Sequence, residues 1–297
     1  MRILSLFGLC VLIAFASCKK STPSSPNNSD STITTPLLSQ LIILDTTQPA
    51  PADTSEIISF KYDNSKRLVT TTDMVYNSGV PDIMPADITN YYYSGSDSIP
   101  SKSVDVEWFY ENGVGSTIEY DTDTDYYSIA NGNYEDSTIS TFTENNVTTI
   151  SSVIAEINSK NGSTVYSTEI NYLPNFDTFS DTVTQITVNG DVTSQSDITV
   201  MGGLDWTFSF DTHPNPLYVS MNGLPVIYDI ESALDGPQKN NYTEVIEKQA
   251  DSTMYHVKNQ YTYLSNSYPA TAVEYDYSYS NSNNPIFNGK AIYVYEQ

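Results

Sequence analysis

Positive charge, cysteine and histidine are what this chain has least of, and each shortage excludes something. Its 297 residues carry 12 Lys and Arg against 36 Asp and Glu, a formal net charge of −24. A polyanion needs a basic face to bind to, so nucleic acid is excluded as a partner. An anionic membrane surface repels such a body for the same reason. There are two histidines, His213 and His256, and two cysteines, Cys10 and Cys18. The sequence contains no Gly-x-Ser-x-Gly, no His-Glu-x-x-His and no glycine-rich phosphate loop, so no motif for a nucleophile, a catalytic zinc or a nucleotide is present. His213 precedes Pro214 in what reads as a turn and is expected to be structural. Long runs of Ala, Leu, Glu, Lys and Arg are missing too, which removes the usual material of helices.

In their place stand 24 Tyr, 10 Phe and 2 Trp, set among Thr, Ser, Val and Ile. β-branched and aromatic side chains suit a pleated, half-buried surface. The reading is all-β: a meander of stacked antiparallel β-hairpins forming a large curled sheet or partial shell. A domain of this length buries most of the surface that its unfolded chain exposes.

The amino-terminal residues read as an address. Arg2 gives a positive start, Ile3 to Phe15 form an apolar run broken by Ser5, Gly8 and Cys10, and Phe15-Ala16-Ser17-Cys18 places small residues before a cysteine. The run is too short for a membrane span and is followed by Lys19-Lys20. The order resembles the lipobox of bacterial lipoproteins, in which the cysteine becomes the acylated first residue. That resemblance implies a signal peptide over 1–17, a lipid on Cys18 and a mature chain with neither free thiol nor disulfide. The other readings are a general secretory signal with a chance cysteine, or an uncleaved helix. Residues 18–36, rich in Ser, Thr, Pro and Asn, read as a flexible spacer, and 37–297 as a single domain.

Along that domain the turn signals recur every 10–15 residues or so. Leu37 to Leu44, Ile57 to Tyr62, Arg67 to Met74, Ile88 to Tyr93 and Ser101 to Tyr110 read as strands. Ser116 to Tyr120 and Tyr126 to Ile129 are expected to flank an acidic connection. Ser137 to Thr143, Val147 to Ile157, Thr164 to Leu173, Thr182 to Val188 and Val192 to Val200 follow, the last two about Asn189-Gly190-Asp191. Trp206 to Phe210, Tyr242 to Glu247, Ser252 to Leu264, Ala270 to Tyr279 and Ala291 to Tyr295 complete the set. Asp229 to Leu234 is expected to hold the one helical turn.

Phe60-Lys61-Tyr62-Asp63-Asn64-Ser65-Lys66-Arg67-Leu68 is similar to the Tyr-Asp (YD/RHS-like) repeat, in which Tyr-Asp opens a turn and Gly-Arg-Leu closes it; Lys66 stands where the repeat has Gly. Tyr261 to Pro269 and Phe208 to Tyr218 resemble degenerate copies, with Leu264 in place of Asp in the first. With the leader and the tyrosine-rich meander, these stretches resemble uncharacterised Bacteroidota lipoproteins that carry such hairpins. The resemblance implies a hairpin stack and no catalytic residues.

Candidate sites follow from residue type. Exposed aromatic rings offer broad contact area to a sugar or protein partner at low entropic cost, which nominates Trp108, Tyr110, Tyr92 and Trp206; the alternative is that they form the sheet's core. In Tyr91-Tyr92-Tyr93 the alternation forces at least one ring out of the core. Asp121, Asp123 and Asp125 have the alternate spacing of oxygen ligands for Ca²⁺, but Tyr126 stands where such a loop needs Gly. As a strand edge they would guard against edge pairing. No cofactor other than Ca²⁺ is suggested. The expectation is a lipid-anchored cell-envelope protein at the outer membrane, a non-enzymatic binding or structural module for a glycan or protein. The alternative is a carbohydrate-active hydrolase using two carboxylates.

Overall fold

Alternation of inward and outward side chains, with tight turns between the runs, decides the architecture. A computed structural model describes residues 36–45, 54–82, 85–97, 100–109, 119–130, 133–144, 146–161, 164–173, 177–188, 191–197, 204–220, 238–249, 252–277 and 286–296. The strands are β1 (Leu38–Leu44), β2 (Thr54–Tyr62), β3 (Leu68–Asn77), β4 (Val80–Pro81), β5 (Asp87–Tyr93), β6 (Pro100–Phe109), β7 (Glu119–Ala130), β8 (Asn133–Glu144) and β9 (Val147–Asn161). They continue as β10 (Thr164–Leu173), β11 (Asp177–Val188), β12 (Asp191–Asp197), β13 (Leu204–Pro214), β14 (Asn240–Gln249), β15 (Ser252–Tyr263), β16 (Pro269–Asp276) and β17 (Ile286–Tyr295). One short helix, α1 (Pro216–Ser220), follows β13.

The sheet closes. β4 bridges only β3, and each remaining strand pairs antiparallel with its sequence neighbour, β3 passing directly to β5. The last strand, β17, then pairs with the first, Ile42 lying opposite both Ile292 and Ile57. With β4 set aside from the seventeen, the ring is an up-and-down barrel of sixteen strands. Following registered partners once around the ring returns to β1 displaced by about 20 residues, which sets a strand tilt of about 40° and a backbone diameter of about 30 Å. The curled sheet expected from the sequence is thus a full barrel, and no main strand is left as an edge.

Period-2 alternation separates the two faces of the wall. One face carries Leu41, Ile58, Phe60, Tyr91, Ala272 and Ala291, all buried in one cluster with Leu38 and Leu68. Side chains on this face meet across non-adjacent strands: the Tyr263 hydroxyl of β15 donates to Asp211 of β13, and Leu217 of α1 packs against the same cluster. Such convergence marks the concave side. The opposite face holds large exposed rings and aliphatics such as Tyr92, Tyr126, Ile150, Tyr166 and Ile186.

One end of the lumen is filled by tyrosine. Tyr62, Tyr93 and Tyr295 close β2, β5 and β17, and each hydroxyl donates at 2.8 Å to the first carbonyl of a neighbouring strand, Leu38, Leu68 and Pro269 respectively. The rings pack on the buried cluster while the hydroxyls satisfy rim carbonyls. Leu217 of α1, just after β13, also packs on this floor. The two ends of the connection between β13 and β14 are pinned together by Asn215 N–H to the Lys239 carbonyl and the Asn240 amide to the Asp211 carbonyl, and Val192 N–H of β12 donates to Gln238 Oε1.

Two hairpin turns at the floor end share one geometry. In Asp63–Arg67 and in Leu264–Tyr268 the first residue's N–H donates to the fifth carbonyl and the fourth N–H to the first carbonyl. The fourth residue has positive φ in both, 61° at Lys66 and 69° at Ser267. Asp63 further accepts from the Ser65 and Arg67 amides and from the Arg67 guanidinium. Phe208 to Tyr218 differs: strand runs to Pro214, with irregular pairing after Ser209, so no turn opens at Asp211. The acidic connection expected between Tyr120 and Tyr126 is also strand, β7 running unbroken across it and paired on both sides. It therefore guards no edge. The helical turn read at Asp229 to Leu234 lies outside the described residues.

Candidate functional site

Above the tyrosine floor the concave face turns acidic, and the register lines the acids up. Asp73, Asp87, Glu107 and Asp121 are successive partners across β3, β5, β6 and β7. One step towards the floor, Asp105 faces Asp123, and one further step Ser103 faces Asp125. Glu56 of β2 lies on the same face, opposite Val75. Like charges directly opposite one another on neighbouring strands repel, and no Lys or Arg is registered within these rows. Strand formation by Asp-Thr-Asp-Thr-Asp follows from the same alternation. Its threonines face out and suit the pleat, and its aspartates face in.

The molecule limits the repulsion in two ways. Hydroxyls donate to the carboxylates: Thr89 to Asp105 at 2.7 Å, Ser103 to Asp125 at 2.8 Å and Thr138 to the other Asp125 oxygen at 2.8 Å. Carboxyl groups also share protons. Burial, reinforced by the charge of Asp73, pushes Glu56 up to about 8, and Glu56 then donates to Asp73, itself raised by burial to about 6. Burial and the charge of Asp87 push Asp105 up to about 8, and Asp105 donates to Asp87, which is also raised by burial. Each set is an acid–carboxylate pair near neutrality.

Some oxygens have no such relief. Asp73 Oδ1 and Asp121 Oδ1 are buried without a hydrogen-bond partner. An unsatisfied buried polar atom costs about 1–3 kcal/mol. Tyr91 is 4% exposed, and its hydroxyl lies near Asp105 and Asp87, with Thr71 and Thr89 also at hand.

The residues nominated from sequence divide between the faces. Asp121, Asp123 and Asp125 all face into the lumen opposite Glu107, Asp105 and Ser103. Among the described residues no three His, Cys, Asp or Glu side chains converge as metal ligands. Tyr92 is 51% exposed on the outer face, where Lys102 lies over its ring and that of Tyr126. Trp108 shares that outer face, two residues beyond Val106, the partner of Ile88. Trp206 instead packs inside against Phe208, Val245 and Val257. Tyr92 and Trp108 therefore make no common platform with Trp206. Tyr110 lies outside the described residues, as does Cys18. His213 stacks on Tyr263 at 3.8 Å in the floor. The acids on β3, β5 and β6 were missed in the sequence. Their signal is the repeated i, i+2 spacing in successive hairpin strands, as in Ser103-x-Asp105-x-Glu107 followed by Asp121-x-Asp123-x-Asp125.

The outer wall is not uniform. On β13 to β15 it carries Asp205, Glu244, Lys248, His256 and Lys258 at registered outward positions, with Glu244 bridging His256 at 2.8 Å and Lys258 at 3.0 Å. Charges on a lipid-facing wall cost about 2–4 kcal/mol each near the bilayer midplane for Lys. That sector is built for water.

No protein-family model matches this sequence, and no curated protein matches it. Among solved structures, the chain is similar to a porin-like protein from Bacteroides vulgatus at 10% identity and a TM-score of 0.39, covering 88% of this chain and 99% of that one. It is also similar to a porin-like protein from Bacteroides uniformis at 12% identity and a TM-score of 0.36, covering 86% of this chain and 96% of that one.

Proposed function

We propose that this protein is a lipid-anchored cell-envelope module that binds a glycan or protein partner without turnover, and that the acid-lined lumen is its ligand surface. The observation carrying this reading is the run of directly opposed carboxylates on the concave face, Asp73 to Asp121. Acids held in register against their mutual repulsion are a cost to the fold, and a ligand that engages them offsets it.

Attachment through Cys18 at the outer membrane fits the geometry. β1 opens at Leu38, whose carbonyl accepts from Tyr62 at the floor, so a tether ahead of it joins the barrel at its floor end. Acyl chains contribute about 0.8 kcal/mol per buried CH₂, and anchoring of this kind leaves the charged sector of β13 to β15 in water. Hydrolysis is the weaker reading. Glycosidase carboxyls stand about 5 Å or more apart to admit the scissile bond, whereas Glu56–Asp73 and Asp87–Asp105 hydrogen-bond directly.

A glycan array run with the full chain alongside a hydrolysis screen tests the reading. Retention without turnover is expected, reduced at least tenfold by Glu107→Gln with Asp123→Asn and untouched by Tyr92→Ala. Turnover of a retained glycan, or retention that ignores the lumen pair and follows Tyr92, overturns it.

A further inference from the structure

We infer that the outer wall of β6 to β10 is a contact surface for a second copy of this chain, the two barrels side by side about a two-fold axis parallel to their own axes. The contact lies outside the barrel and is independent of any ligand in the lumen. Charge sets this wall apart. The chain carries 36 acids and a formal net charge of −24, so two copies repel unless they meet where acids are few. Among the described residues, the outward positions of β6 to β10 hold one acid, Glu135, and one base, Lys102. On the same wall Tyr126, Ile150, Ile157 and Leu173 are exposed.

Register gives the wall a two-fold pattern. Rows of registered partners climb away from the floor: from Ile42 in mid β1 the row passes Ile57 and Met74 and reaches Trp108 and Tyr120 at the far end of β7. With about 20 residues gained around sixteen strands, residues at one height are offset floorward by a little over one residue per strand. Lys102 leads through Tyr126 to Ser137, and Glu135 stands two residues floorward of Ser137, so Lys102 and Glu135 share a height. Val104 leads through Thr124 and Ile139 to Val153, and Ile157 stands four residues floorward of Val153. Ile150 and Leu173, on β9 and β10, form a third level pair. The midpoints of all three pairs fall on one line parallel to the barrel axis, and Tyr126, Ile139 and Val153 lie within about 3 Å of it.

A two-fold axis on that line sets each member of a pair against its counterpart in the other copy. Lys102 of each copy faces Glu135 of the other, so two ion pairs flank a strip of tyrosine and aliphatic side chains. Lys102 is held on this wall over the Tyr92 and Tyr126 rings. Two convex walls touch along a strip about 20 Å wide and 25 Å tall, roughly 500 Å² on each copy and 1,000 Å² in total, the lower bound for a specific pair. Both floors point the same way, as tethers ahead of β1 in one bilayer require. A bilayer is the poorer occupant of the wall. Asp205, Lys248 and Lys258 face outward on β13 to β15, so lipid cannot encircle the barrel, and Thr124 and Ser137 sit within the strip itself.

Sedimentation velocity of the full chain, with Cys18→Ser and the leader removed, reads the association. The unaltered wall is expected to give a dimer with a dissociation constant on the order of 10 μM. Lys102→Glu alone opposes two acids at each flank, and Glu135→Lys alone opposes two bases, so each is expected to weaken association at least tenfold. An equal mixture of the two variants restores opposite charges at both flanks, and its dimer is expected to form within threefold of the original affinity. Rescue by mixing cannot arise within one chain, so it separates contact between copies from damage to the fold. Single variants that associate as before, a mixture that stays as weak as either variant, or an unaltered chain that is still monomeric at about 100 μM overturns the inference. Such a monomer assigns the wall to a bilayer if it floats with phosphatidylcholine vesicles and to a different protein if it does not.

Discussion

Phe60→Ala is expected to destabilise the barrel by about 3–5 kcal/mol, the range for emptying a buried phenylalanine site. Phe60 is 4% exposed and sits in the floor cluster between Leu38, Leu41, Ile58, Leu68 and Tyr91. Those neighbours come from four strands that are hydrogen-bonded into one wall, so they have little freedom to collapse into the void. Thermal melting checks the prediction: for a domain of this size the drop is on the order of 10 °C. Val80→Ala, at a 65% exposed site on β4, is the control and is expected to move stability by less than about 0.5 kcal/mol. An equal, small effect for both variants would mean that the floor is not a packed core.

Raising the pH is expected to weaken the barrel, in a window where most proteins change little. Glu56 and Asp105 are pushed up to about 8 by burial and by their carboxyl neighbours, and Asp73 to about 6 by burial alone. An unfolded carboxyl titrates near 4. For an acid raised on folding, the folded state binds the proton more tightly. Its penalty is therefore absent below pH 4, grows as pH rises, and is complete above the folded value. Linkage then gives a loss on the order of a few kcal/mol for each acid pair between pH 5 and 9. The melting temperature should fall steadily over that interval. Asp105→Asn keeps an oxygen to accept from Thr89 and removes one charge from the Asp87 pair, so it should raise stability at pH 8–9 and flatten the profile. A melting temperature that is independent of pH from 5 to 9 would remove the shared protons from the account.

Local chemistry made the strands legible. Runs such as Ile57-Ile58-Ser59-Phe60-Lys61-Tyr62 and the turns around Asp63 and Ser265 carry their own signals, and β2, β3 and β15 fall where those signals put them. The Tyr91-Tyr92-Tyr93 triplet also resolves as alternation requires, its middle ring outside and its first ring buried. Closure was not legible. The pairing of Ile42 with Ile292 joins residues at opposite ends of the chain, and nothing in either strand's pattern specifies a partner at that distance.

The acid site was half legible for a related reason. Asp121, Asp123 and Asp125 stand out as a group, but reading them as a connection treats carboxylates as strand breakers. In a closed barrel the inward position is governed by the lumen, and tertiary setting overrides propensity. Asp73 and Asp87 look unremarkable singly because each is one acid in its own strand; only register joins them to Glu107 and Asp121 in a row. Trp206 shows the converse. A large aromatic is the same letter whether it lines a core or offers a platform, and its place inside the cluster with Phe208 and Val245 depends on which face of β13 is concave.

Cross-linking the first strand to the last bears most directly on all of this. In the full chain with Cys18→Ser and the leader removed, Ile42→Cys combined with Ile292→Cys places two thiols at registered outer positions, within the Cα separation a disulfide spans. Ile42→Cys with Ile57→Cys, across the β1–β2 hairpin, is the positive control. The closed barrel requires both pairs to oxidise within a single chain, to similar yield, without loss of monomer. If the hairpin pair forms and the Ile42–Ile292 pair does not, or forms only between chains, the ring is open and the lumen built on it does not exist.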